Sequence, residues 1–81
     1  MNIYEEIKEI LIKEMEIELD DSISENASFR DELDIDSLEK VELATSINSK
    51  FKLNIPLDKI IQCDTIFDLI QCIEDIENRR K

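Results

Sequence analysis

The chain has no histidine, no glycine and no tryptophan, and a single proline, Pro56. The first two absences each close off a class of chemistry. Without histidine, no serine or cysteine can be paired with an imidazole base, which excludes a hydrolase triad or a cysteine–histidine pair. Without glycine, no glycine-rich loop can cradle a phosphate. The acid-rich run DELDIDSLE cannot be a calcium loop, because it lacks the sixth-position glycine and the ligand spacing such a loop needs. Few breakers also mean few interruptions, so a largely helical chain is expected. No apolar run approaches the ~20 residues that span a bilayer. The start, MNIYEEIKEI, has neither the basic head nor the continuous apolar stretch of a signal peptide. A cytoplasmic protein is expected.

Positive charge is also scarce. Ten basic residues face twenty-one acids, for a formal net charge of -11. That surface repels nucleic acid and anionic membranes, and it favours basic protein partners and divalent cations. It also opposes compaction, so added salt or magnesium should stabilise the fold. The cysteines, Cys63 and Cys72, lie nine residues apart in a chain without secretory signals, so no disulfide between them is expected, and without histidine they make a poor metal or redox site. On one continuous helix their spacing would put them on opposite faces. They read as small, partly buried hydrophobes. The carboxylates are scattered over a solvated surface. No metal site and no enzyme activity is expected.

What is present is 81 residues, 42% of them hydrophobic and 38% charged. That suits one small soluble domain, residues 1–81, near the lower size limit for a single core. Ile3, Ile7, Ile10, Leu11 and Met15 repeat at helical spacing and predict a first helix from about Ile3 to Glu16. The following IELDDSISENASFRDELDI has no sustained period and reads as a loop of roughly twenty residues, a length usually tied to function. Its apolar residues Ile17, Leu19, Ile23, Phe29, Leu33 and Ile35 would pin it over the core. A second helix opens at Asp36, a good N-cap, with Glu39 completing a capping box. It should end near Lys52, with Asn54 taking a left-handed turn and Pro56 preventing continuation. LDKIIQ allows one or two further turns. In the last helix Thr65 and Asp68 form the cap and Ile66, Leu69, Ile70, Ile73 and Ile76 the stripe. Arg79, Arg80 and Lys81 follow at its C-terminal end, where positive charge suits the dipole. The sum is all-α: a small four-helix bundle of three main helices and a short third one, with a long loop between the first two.

Ser37 then stands out, directly after the N-cap. Its hydroxyl can project to solvent beside the unpaired amides of the first turn, where a phosphate ester would meet the positive end of the dipole. A serine at this position is also common at helix starts and by itself says little.

Four segments in order change that weight: NASFRDEL (Asn26 to Leu33), DSLEKVEL (Asp36 to Leu43), FKLNIP (Phe51 to Pro56) and DTIFDLIQCI (Asp64 to Ile73). Together they resemble the acyl carrier protein family over nearly the whole chain. The resemblance implies that Ser37 carries 4′-phosphopantetheine, transferred from coenzyme A by a separate metal-dependent holo-carrier synthase or other phosphopantetheinyl transferase. The aspartate matching Asp36 would lie beside that enzyme's reaction centre. Acyl groups would be held as thioesters on the arm's thiol, not on Cys63 or Cys72. The resemblance also implies docking of the second helix on basic patches of loading, condensing and processing enzymes. Leu38 would be the apolar contact, and Glu39 and Glu42 the acids. Ile60 and Ile61 are adjacent on the short helix, where one face should be exposed, so one is expected as core and the other, taken as Ile61, as a further contact. The carried chain would lie among Leu43, Ile47, Phe51, Cys63, Leu69 and Ile73, and a monomer is expected. Each of these residues has an ordinary structural reading too, capping for Glu39 and core packing for the cavity set.

The chain departs from the family pattern at several positions. Asp34 replaces the usual glycine before the signature, and aspartate tolerates the left-handed region better than most residues. Asn48, Ser49 and Lys50 stand where acids are frequent, and Leu69 where a smaller residue is common. These departures leave open whether the chain serves fatty-acid synthesis or is a specialised carrier for aminoacyl, polyketide or modified-lipid intermediates. A reading of a different class is an acidic helical adaptor that binds a basic protein with Ser37 unmodified or phosphorylated.

Overall fold

The computed structural model describes residues 2–19 and 23–79. Helix α1 (Ile3–Glu9) runs without a break into a π-helical segment (Ile10–Glu14); α2 (Ser37–Phe51), the short α3 (Leu57–Ile61) and α4 (Ile66–Arg79) follow. The π segment packs on α2, α1 on α4, and α3 between α2 and α4. No helix among the described residues is long and apolar enough to cross a membrane. Arg80 and Lys81, expected at the end of the last helix, lie outside the described residues.

One core holds the bundle. Ile7, Ile10 and Leu11 from the first helix meet Leu43, Ala44 and Ile47 from α2, Ile60 from α3, and Ile66, Leu69, Ile70 and Ile73 from α4. Among the described residues, no polar or charged side chain is buried with them. Ala27, Leu53 and Ile55 also belong to this core and were not anticipated. Leu53 and Ile55 alternate with the exposed Asn54 in a short non-helical segment, where their period of two is lost beside the helical pattern. Asn48 fixes that segment: its side-chain oxygen accepts from Ile55 N at 2.9 Å and its amide donates to Ile55 O at 3.2 Å.

Three left-handed residues among those described show what the lack of glycine costs. Glu16, Asp34 and Lys52 have φ of 55°, 54° and 56°, each disfavoured by about 1 kcal/mol or more for a residue with a Cβ. Lys52 ends α2, and Leu53 N returns to Asn48 O at 2.9 Å. The left-handed turn is therefore at Lys52 and not at Asn54, because the helix must reverse before Leu53 can reach the core. Glu16 corrects the expected end of the first helix. Regular winding stops at Glu9, Met15 N bonds to Ile10 O, and Ile17 N returns to Leu11 O at 2.9 Å. Turning at Glu16 lets Ile17 and Leu19 pack on the core, which a helix continued to Glu16 would carry away from it.

The long loop is stitched down. Phe29 and Ala27 are 1% exposed, Ile35 2% and Leu33 7%. Burying a side chain like Phe29 is worth about 1.5–3 kcal/mol. The loop also supplies what the start of α4 lacks, namely partners for its first amides. Ile66 N donates to Ala27 O at 3.3 Å and Phe67 N to Glu25 O at 2.7 Å, while Phe29 N donates to Asp64 O at 2.9 Å. Thr65 Oγ1 accepts from Asp68 N at 3.1 Å and completes the cap. Tyr4 ties the loop to α1 by donating its hydroxyl to Ile23 O.

Candidate functional site

The site forms where the loop delivers the chain into α2. Ile35 is anchored in the core, with its N–H bonded to Phe29 O at 2.7 Å. The left-handed Asp34 makes the bend ahead of it, the conformation glycine would otherwise supply. Asp36 is extended and caps the helix: its Oδ1 accepts from Glu39 N at 2.8 Å, and Glu39 Oε1 accepts from Asp36 N at 3.2 Å. The capping box read from the sequence is thus formed on both sides.

Ser37 is the first helical residue and is exposed. It borders a recess of about 440 Å³ shared with Arg30, Asp34, Ile35, Asp36, Lys40 and Asp64. Of the residues on this recess, Ser37 and Asp36 were expected as site residues, whereas Arg30, Asp34, Ile35, Lys40 and Asp64 were not. Lys40 was legible in principle, since it follows Ser37 by one turn on the same helix face. Arg30 and Asp64 come from other segments and meet Ser37 only in the fold. Ser37 thus lies at the edge of a recess of mixed charge, lined by Arg30 and Lys40 and by the carboxylates of Asp34, Asp36 and Asp64.

The other expected residues divide by exposure. Leu38 is 77% exposed, an apolar side chain projecting from the first turn. Asp36 and Glu42 are exposed, while Glu39 is half-buried because its carboxylate folds back on the cap. Ile61 is half-buried at the end of α3, and Ile60 beside it is core at 1% exposure. Lys40 brings these elements together, donating from Nζ to Ile61 O at 2.9 Å and to Cys63 O at 2.7 Å. Leu43, Ile47, Leu69 and Ile73 are wholly buried in one cluster with Cys63. Phe51, also expected there, is half-buried and packs against the edge of that cluster.

The two cysteines are free and both border one surface recess, with Lys59, Gln62, Asp68, Gln71 and Asp75. The opposite-face expectation presumed a single helix. Cys63 precedes α4, so the geometry of one continuous helix does not apply. Burial, then the neighbouring Cys72 and the carboxylate of Asp68, push the Cys63 thiol up to about 11. Its Sγ lies 3.3 Å from Lys59 O, which the thiol proton can reach. Burial likewise raises the Cys72 thiol. Both thiols are held protonated at neutral pH and are poor nucleophiles.

Comparison with known proteins agrees with this geometry. The family profile described as "Phosphopantetheine attachment site" matches residues 5–73. The chain is 30% identical over 76 residues to an acyl carrier protein of Sulfurovum sp. (strain NBC37-1), covering 94% of this chain and 100% of the relative. It is 35% identical over 71 residues to an acyl carrier protein of Zymomonas mobilis, covering 88% of this chain and 90% of the relative. To an acyl carrier protein of Wolinella succinogenes it is 30% identical over 74 residues, covering 91% and 96%. The chain belongs to the acyl carrier protein family, whose members are carriers and not catalysts and bear a covalently attached 4′-phosphopantetheine.

Proposed function

We propose that residues 1–81 act as a single acyl-carrier domain and that Ser37 is the residue modified with 4′-phosphopantetheine. The observation that carries this reading is the exposed Ser37 hydroxyl directly after the Asp36 cap, on a recess with Arg30 and Lys40. No base within the chain is required. The Ser37 oxygen takes the phosphopantetheinyl group from coenzyme A, adenosine 3′,5′-bisphosphate leaves, and the transferase's base takes the serine proton. Once attached, the group supplies a thiol on a flexible arm, to which acyl chains are esterified.

The chain's own residues then present and shelter the cargo. Asp36, Leu38, Glu39, Glu42 and Ile61 form the docking face for the phosphopantetheinyl transferase and for acyl-loading, condensing and processing enzymes with basic patches. Opposite charge speeds such encounters more than it tightens them, which suits a carrier that visits several enzymes. Leu43, Ile47, Phe51, Cys63, Leu69 and Ile73 surround the carried chain, which must part a packed core to enter. The setting is fatty-acid or related acyl-chain synthesis by a cytoplasmic monomer. A second reading, a specialised carrier of other acyl intermediates, is favoured by the end of α2. Lys50 is engaged with Glu6 at 2.9 Å and Glu9 at 3.2 Å, and Asn48 with Ile55, so that stretch offers no run of acids for docking.

The test is intact-mass analysis after incubation with coenzyme A and a broad-specificity phosphopantetheinyl transferase. The wild-type chain should gain one phosphopantetheinyl group and Ser37→Ala none. A wild-type chain that gains nothing, or an alanine variant that still gains the group, would overturn the proposal. Mass analysis of the chain recovered from its native host would identify the acyl groups it holds.

A further inference from the structure

Lys40 is placed to do more than line the recess. Its ammonium donates to Ile61 O at 2.9 Å and Cys63 O at 2.7 Å, spanning from the first turns of α2 to the end of α3. The same nitrogen lies 5.6 Å from the centre of the Phe29 ring. Among the described residues, α3 is otherwise held by Ile60 in the core and by the Asn48–Ile55 bonds just ahead of it. It has five residues, no side-chain N-cap bond, and Ile60 as its buried residue. A helix that short has no stability of its own in water. Bonds from a charged donor to two backbone carbonyls are among the stronger hydrogen bonds, so Lys40 is a main restraint on this element.

Its position along α2 gives that restraint a consequence. Ser37, Lys40, Ala44 and Ile47 follow one another at spacings of three or four, forming a single stripe. Ala44 and Ile47 are buried at 3% and 0% exposure, and Ser37 is outside. A chain tethered at Ser37 that enters the core along this stripe meets Lys40 between the surface and the interior. We propose that Lys40 is a latch across the α2–α3 seam, and that its ammonium governs how readily the seam parts to admit the carried chain. The latch itself is a property of the unmodified protein; its role in admission rests on the carrier reading above. Lys40 acts by positioning α3 and takes no part in bond making.

Amide hydrogen exchange tests the latch on the unmodified chain. Gln62 N and Cys63 N close the end of α3 through bonds to Asp58 O and Ile60 O, both 3.1 Å, and Leu69 N bonded to Thr65 O reports on α4. Lys40→Met keeps the apolar stem and removes the donors. It should speed exchange at Gln62 and Cys63 by about tenfold relative to Leu69, and Lys40→Arg, which keeps charge and donors, should restore most of the protection. Unchanged exchange at Gln62 and Cys63, a rise in step with Leu69, or an arginine variant that behaves like the methionine one would refute the latch. Admission is then read on chains loaded from octanoyl-coenzyme A, through the methyl resonances of Leu43 and Ile47. Lys40→Met should shift both further toward the occupied state than the wild type. Equal shifts refute the role in admission and leave the carrier reading standing; a wild-type chain that cannot be loaded refutes the carrier reading, with the exchange result on the latch unaffected.

Discussion

Substituting Asp36 separates two roles that one carboxylate combines. As N-cap it accepts from Glu39 N at 2.8 Å, and as the residue beside Ser37 it is expected to face the transferase. Asp36→Ala removes the acceptor and leaves the Glu39 amide to water. For an exposed cap this costs about 1 kcal/mol, within a range of roughly 0.5–2. In a domain of this size that lowers the melting temperature by about 4–8 °C per kcal/mol. Asp36→Asn keeps an oxygen in the same place, and asparagine caps as well as aspartate, so its melting temperature should stay within about 2 °C of wild type. The charge, however, is gone. If Asp36 helps assemble the metal-assisted reaction centre of the transferase, the asparagine variant should accept phosphopantetheine about tenfold or more slowly, the usual scale for loss of a supporting carboxylate. Circular dichroism melts and timed intact-mass measurements give both quantities on the same samples. An asparagine variant that melts like the alanine one would refute the capping argument, and one modified at the wild-type rate would refute the role of the charge.

Further outcomes follow from exposure and charge. Leu38 is 77% exposed, so Leu38→Ala should leave the melting temperature within about 4 °C of wild type while slowing transfer measured by intact mass; a larger stability loss would mean that the side chain packs. With a net charge of -11, self-repulsion should exceed what the few surface ion pairs contribute, so added sodium or magnesium chloride should raise the melting temperature, and a melt indifferent to both would count against that balance. The folded Cys63 thiol is raised to about 11 from an ordinary value of 9.0. Below pH 9 the thiol is protonated whether the chain is folded or not and stability is unaffected. Between about pH 9 and 11 the unfolded chain releases a proton that the folded chain retains, so stability should fall across that window. A denaturant midpoint that rises or stays flat there for wild type relative to Cys63→Ser would contradict the assignment.

Much of this protein was legible before folding was considered, for local reasons. The capping box at Asp36 and Glu39, the Thr65–Asp68 cap and the stripe of Ile66, Leu69, Ile70 and Ile73 depend on neighbours within one helical turn, and all form as read. Ser37 could be placed at a helix start by the same reasoning, and the absence of histidine left it without an imidazole base. The limits are equally local. Periodicity could not register the π segment, or a left-handed end at Lys52 in place of Asn54, because each is set by how the chain must turn to bury Ile17 or Leu53.

Sequence alone determined the helical class, the acidic surface and the position of the serine, because these follow from residue type and short-range spacing. Only the tertiary structure decided what the serine faces. Arg30 and Asp64 are far along the chain from Ser37 and Lys40, and the four meet at one recess because the loop must satisfy the first amides of α4 and the ammonium of Lys40 must satisfy the last carbonyls around α3. Backbone groups that a helix cannot pair within itself find partners across the bundle, and those long-range pairings shape the site.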